Sequence, residues 1–266
     1  MIKALTRINW KIFAILLVAG LLGVVAVFPY MADLLGTLPI GEAGVAGIPL
    51  PLVVILALIQ NGILLAVVIF VGVMLSERIG LRMPLIRAWA TGEPTPNLKA
   101  VVPPGVLVGA AVGAVLVTVE AFFFLRHLPA AMHLLFEIPL WKRLLAGVLY
   151  EGITEELLTR LFLLLVVAWL LGRWWKTTEG RPTPGAFWTA ISVVAFLFGV
   201  GHLPTTAAIA PLTQALIVRA LVLNGVAGVA FGYLYWRHGL EAAIVGHMSA
   251  HVLMQGPEVM LLENML

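Results

Sequence analysis

The sequence predicts an all-α fold, a polytopic membrane bundle of seven or eight transmembrane helices, and three observations predict it. Of 266 residues, 62% are hydrophobic and only 11% are charged, where an ordinary soluble domain carries roughly a quarter. The mean hydropathy is +1.07. The apolar residues also fall in blocks near the ~20 residues that a helix needs to cross a bilayer core. Even a 300-residue domain buries only ~75% of its unfolded surface, so lipid is the expected solvent for this much apolar surface. The composition excludes a soluble globular protein, a disordered chain and a nucleic-acid binder. The chain has no cysteine, which removes disulfides, thiolate metal sites and a cysteine nucleophile.

Seven stretches qualify as spans. The first, 12–28, follows Lys3, Arg7 and Lys11. These flanks resemble the start of a signal peptide, but the apolar run is too long and no small-residue cleavage site follows, so it reads as a retained span. The second, 49–75, is long enough to tilt. The third covers 105–125, the fourth 144–171, the fifth 185–203, the sixth 211–236 and the seventh 240–255. The stretch 129–140 reads as an interfacial helix or part of an eighth span. Pro94, Pro96, Pro103 and Pro104 make 91–104 a linker that is not helical throughout. Trp174 and Trp175, between Arg173 and Lys176, suit a span meeting the headgroups.

The loops set the orientation. Eleven of the sixteen basic residues lie in the N-terminal segment and in the second, fourth and sixth loops. Three (Arg126, Lys142 and Arg143) lie on the other side, and Arg160 and Arg219 lie inside spans. Basic residues collect on the cytoplasmic face, so the N-terminus is expected in the cytoplasm and the C-terminus outside. Residues 1–266 read as one integral membrane domain with no internal repeat.

The informative residues are the charges inside spans. The fourth span carries Glu151, Glu155, Glu156 and Arg160. Each ionisable group at mid-depth costs roughly 2.5–3.5 kcal/mol on insertion scales, so four cost on the order of 10 kcal/mol if they face lipid. The apolar run 161–171 returns only ~5 kcal/mol. That face must therefore meet other helices or a water-filled cavity. Glu156 and Arg160 are four apart and can pair along one helix, while Glu155 points ~100° away from Glu156 on an α-helix. One carboxylate is then neutralised by Arg160 and the other is left for a different task. A buried ion pair that merely fixes packing is the plainer reading of the segment alone.

The segment does not stand alone. The fifth span places His202 at its end, followed by Pro204, and the seventh carries His247 and His251, four apart. That histidine spacing is common in zinc sites. No glutamate follows His247, so any general base must come from another helix, and the fourth span supplies candidates. Such a set can hold and deprotonate a water, with a glutamate as base and the histidines binding the water, a metal or a developing oxyanion.

These residues resemble the CPBP family of intramembrane proteases, which includes the CAAX prenyl proteases and the Abi bacteriocin-processing proteins. The family pattern is Glu-Glu-x-x-x-Arg, then Phe-x-x-x-His, then His-x-x-x-Asn or Asp. Here it reads Glu155-Glu156-Leu-Leu-Thr-Arg160, Phe198-Gly-Val-Gly-His202 and His247-Met-Ser-Ala-His251. The resemblance covers 141–255, the motif-bearing core. It implies an intramembrane endopeptidase in which Glu155 activates water and Glu156 pairs with Arg160. His202 positions the water, and His247 and His251 stabilise the oxyanion or complete a metal site. His202, His247 and His251 are the metal-ligating candidates for one divalent ion such as zinc, and a metal-free water held by His202 is the competing mechanism. His251 departs from the pattern, standing where Asn or Asp is usual. The implied partners are a peptide or protein substrate, lipidated or membrane-anchored, and membrane lipid. The expected location is a prokaryotic plasma membrane.

An ion- or proton-coupled transporter is the alternative, since intramembrane charges also mark ion paths. Glu120, Arg219, Gln214, Asn224, Gln60 and Asn61 are its candidate lining residues, and their other reading is interhelical hydrogen bonding. Many transporters show two related halves, whereas here the ionisable cluster lies in the C-terminal half alone. That asymmetry favours the enzyme.

Overall fold

The computed structural model describes the backbone of residues 8–37 and 50–263, and the side chains of 8–36 and 51–256. Lys3 and Arg7, and the expected start of the second span at residue 49, lie outside the described residues. Every named element is helical among the described residues, apart from one isolated β-bridge between Lys176 and Pro182. The elements are α1 (Trp10–Thr37), α2 (Leu50–Ile79), α3 (Pro84–Thr91), α4 (Val102–Val119) and α5 (Ala130–Glu137). They continue as α6 (140–171), α7 (Pro184–Gly201), α8 (Leu203–Ile209), α9 (Gln214–His238) and α10 (Leu240–Glu263). Five helical segments are long and apolar enough to cross a membrane: Trp10–Gly36, Pro51–Ile79, Leu98–His127, Pro184–Ile209 and Gln214–His238. The expected spans on α6 and α10 are not among these five.

The fifth span is longer than expected. Helix continues past Pro204 to Ile209, because Pro204 sits in the first turn of α8, where its missing N–H is no loss. His202 therefore lies inside the span rather than at its outer end. Pro103 and Pro104 occupy the same first-turn position in α4, and Thr213 caps α9, its hydroxyl accepting from the Leu216 amide at 3.3 Å.

Long-range contacts bring the basic loops to one end of the bundle. The Leu240 amide donates to the Arg82 carbonyl, 3.1 Å. His238 Nδ1 donates to the Ala100 carbonyl, 3.2 Å. The Arg181 guanidinium lies against Gly80. At the opposite end Lys142 pairs with both carboxylate oxygens of Asp33 at 2.7 Å, and Arg143 donates to the Gln255 carbonyl, 3.3 Å. Trp10, Trp89, Trp174 and Trp175 ring the basic end with more than half of each side chain exposed. An aromatic belt at the level of the headgroups is the expected origin of that ring.

Helix α6 packs against α1, α2 and α10, and α10 also packs against α4 and α9. The α4–α10 contact depends on absent side chains. Cβ atoms on Gly105 and Gly113 would lie 2.8 Å from the Ala242 and Ala250 carbonyl oxygens, and one on Gly109 would collide with the Gly246 carbonyl. Small residues every fourth position let two backbones touch, which supplies the dispersion that lipid cannot. Gly109→Val is therefore expected to destabilise by about 1–3 kcal/mol or more through overpacking. A lowered midpoint in detergent-based unfolding checks this; an unchanged midpoint counts against the close α4–α10 contact.

Candidate active site

The site is built on an unusual stretch of helix. Within α6, Ala146–Glu155 and Leu157–Leu164 are π-helical. Hydrogen bonds from i to i+5 put more residues in each turn, and π-helix is frequent at functional sites. Successive side chains are then separated by less than the 100° of an α-helix. Residues five apart, such as Glu151 and Glu156, come onto one face. Gly147 lets α10 approach this face, since a Cβ there would lie 2.7 Å from the His251 ring. The Thr154 hydroxyl anchors the other side of α6, donating to the Gly20 carbonyl of α1 at 2.9 Å.

Three motifs meet in one buried cluster. Glu156 is fully buried and Arg160 is 1% exposed. One carboxylate oxygen of Glu156 forms an ion pair with Arg160 Nη1 at 3.1 Å and accepts from His247 Nδ1 at 2.8 Å. The Arg160 guanidinium also lies over the rings of Phe198 and Phe231, at 5.1 and 5.6 Å from their centroids. His247 stacks on Phe231 at 4.7 Å and on His251 at 5.0 Å. His202 meets Phe198 edge-on at 4.7 Å, and its Nδ1 donates to the Phe198 carbonyl at 2.8 Å. Phe198 thus bridges Arg160, His202 and His247, a larger part than simple packing.

These bonds fix the histidine tautomers. A carbonyl or carboxylate partner can only accept, so Nδ1 carries the proton in His202 and His247. Nε2 of each neutral ring then keeps its lone pair. Glu155 is different again. Its Oε2 is buried and has no hydrogen-bond partner among the described residues.

The expected ligand trio was His202, His247 and His251. The trio that converges among the described residues is Glu151, His247 and His251, whose ligand atoms all lie within 4.8 Å of one another. Glu151 Oε2 is 3.0 Å from His251 Nε2. His202 stands against Phe198 and does not join this group. Two imidazoles and a carboxylate match the donor set of open catalytic zinc sites. The Glu156–His247 bond supplies the outer carboxylate that orients a ligating imidazole. The residues present therefore fit a divalent cation. Glu151 was legible in the sequence as an intramembrane acid. Only the π-helical turn and the pairing with α10 distinguish it as a site residue.

Four of the six polar residues of the transport reading have local partners. Arg219 Nε donates to both oxygens of Glu120, at 2.9 and 2.8 Å. Asn224 and Asn61 each donate to a carbonyl one turn back in their own helix, at 2.9 Å. They form interhelical and intrahelical bonds rather than a shared path.

Residues 137–253 match the family model described as Rce1-like, type II CAAX prenyl endopeptidase. That interval runs within a few residues of the motif-bearing core expected from sequence and contains all three motifs. The bacteriocin-processing relatives are not named by it. No curated protein and no solved structure matches the chain significantly.

Proposed function

We propose, from the match of residues 137–253 to the Rce1-like type II CAAX prenyl endopeptidase model, that this membrane protein cleaves a peptide bond by a glutamate-activated water held within the bundle. The observation that carries the reading is the convergence of all three motifs on one buried cluster, centred on the Glu156 oxygen shared by Arg160 and His247.

Glu155 is the general base. Its buried, unpartnered Oε2 accepts the proton of the attacking water and returns it to the leaving amine. His202 presents Nε2 toward that water, its ring fixed by the Phe198 carbonyl. Glu156 and Arg160 hold His247 in one orientation, and His247 and His251 face the oxyanion of the tetrahedral intermediate. Glu151, His247 and His251 would hold a divalent ion, which supplies a more acidic water and polarises the scissile carbonyl when bound. All seven long helical runs cross the bilayer, including α6 and α10. Their charged faces turn toward each other, so they need less lipid-facing apolar surface than the other five. The basic, Trp-ringed end faces the cytoplasm of a prokaryotic cell. The substrate is a peptide anchored in the membrane by a prenyl group or a helix.

The test uses purified protein in liposomes with a farnesylated peptide and a helix-anchored peptide. Release of a discrete C-terminal fragment from either is the expected outcome. No cleavage of either, with dissipation of an imposed proton gradient, overturns the reading in favour of a transporter. Metal content is a separate readout. One divalent ion per chain is expected after desalting, and Glu151→Gln is expected to weaken its retention by at least about tenfold, the scale of a disturbed metal shell. Equal metal retention in the variant removes Glu151 from the site.

A further inference from the structure

The basic end of the bundle carries a cavity of about 860 Å³ whose lining shares no residue with the Glu156 cluster. It is lined by the start of α1, the end of α2, the α2–α3 turn, α3 and the loop after α6, and is open on one side. Its floor is apolar, and Ile12, Val73 and Met83 are each buried there. Its rim carries Arg82, Arg87 and Arg181 against Glu77 and Glu93. Arg87 and Glu93 form an exposed pair at 3.8 Å, which contributes little. Arg82 and Arg181 have no carboxylate within salt-bridge range among the described residues, and together with Glu77 they leave the rim one positive charge in excess.

We propose that this cavity binds the headgroup of an anionic glycerophospholipid of the phosphatidylglycerol type. Three features select that ligand. One phosphodiester cancels the single excess charge, and guanidinium groups bind its oxygens as two-pronged donors. Glu77 accepts from a headgroup hydroxyl, which phosphatidylcholine lacks. Trp10 and Trp89, on the two helices α1 and α3 that help line the cavity, are largely exposed, as residues at the headgroup level are, so an acyl chain can stay in lipid while its phosphate enters. Basic pockets on the cytoplasmic side of a helix bundle are suited to this recognition. The inference requires only that the chain spans a membrane and does not depend on peptidase activity.

The experiment starts from full-length protein in nanodiscs of phosphatidylcholine with one-fifth phosphatidylglycerol. The protein is extracted in mild detergent, and co-purifying lipid is counted by native mass spectrometry. Retention of one phosphatidylglycerol per chain, well above its share of the bilayer, is expected. Arg82→Gln/Arg181→Gln is expected to lower that retention by about tenfold or more, the equivalent of one lost charge-assisted pair. Arg78→Gln, on the same end of α2 but outside the cavity, serves as the control and is expected to retain lipid as the parent does. Equal retention in the double variant and the parent overturns the proposal. So does protection of the parent by inorganic phosphate with no preference between the two lipids, which assigns the cavity to a soluble phosphate. Monodisperse elution of the double variant shows that a loss is one of binding, and Arg82→Lys/Arg181→Lys, which keeps the charge, is expected to recover part of it.

Discussion

Glu155→Gln is expected to lower peptide cleavage by about 10²–10⁴-fold, the usual contribution of a positioned general base, while leaving the protein folded and inserted. The second half of that expectation comes from the geometry. Glu155 Oε2 is buried and receives no hydrogen bond among the described residues, so the amide replaces a group that tied nothing together at that atom. Replacing the carboxyl by an amide of the same shape breaks no hydrogen bond at that atom. Glu156 next to it differs at its other oxygen: Oε2 is likewise unpartnered among the described residues, but Oε1 pairs with Arg160 within α6 and ties α6 to α10 through His247. Two adjacent carboxylates thus receive opposite predictions: one variant inactive and stable, the other unstable. The measurements are initial cleavage rate in liposomes, and elution profile and unfolding midpoint in detergent. Glu155→Gln protein that cleaves within tenfold of the parent would remove Glu155 as base. A lost rate accompanied by a collapsed midpoint would reassign it to structure.

Much of this architecture was legible because its physical causes are local in sequence. The apolar blocks, the basic loops and the helix-starting prolines are each a few residues long, and they place the helices and the polar end. The three motifs were legible for the same reason, since each occupies a single turn or two. What the sequence did not show depends on contacts between distant segments or on a departure from α-helical geometry. The place of Glu151 beside His247 and His251 requires the π-helical turn of α6, which 3.6-residue spacing does not anticipate. Phe231, whose ring lies under both Arg160 and His247, sits in a helix that carries no motif. Glu241 was likewise silent. It accepts from the Leu85 and Ile86 amides at 2.8 Å, so the helix of the paired histidines caps α3 from more than 150 residues away. The fifth span reaches past Pro204 to Ile209, beyond the expected end at 203, because a proline in the first turn opens a helix rather than ending one.

Arg160→Met is expected to be among the most destabilising single substitutions in the core, by about 3–5 kcal/mol, the cost of leaving one member of a buried pair unpartnered. Glu156 is fully buried, and without Arg160 its carboxylate keeps only His247. The methionine replaces most of the volume but not the charge, and the two aromatic rings lose the cation that they flank. Glu156→Gln is expected to be costly for the mirror reason, because a guanidinium 1% exposed then lacks its counter-charge. The double variant Glu156→Gln/Arg160→Met contains neither orphan. Its loss should fall short of the sum of the single losses by about 1–3 kcal/mol, the range of coupling between contacting residues. Chemical unfolding of the four proteins in one detergent measures that coupling directly. Additive losses would show that Glu156 and Arg160 act separately, and His247 would then have to be oriented by the carboxylate alone. A coupling of the expected size, together with full inactivity of the refolded double variant, would instead establish the pair as the frame that holds His247 for catalysis. The rate would be lost even where the stability had been recovered, because neither a glutamine nor a methionine supplies the carboxylate that fixes the imidazole tautomer.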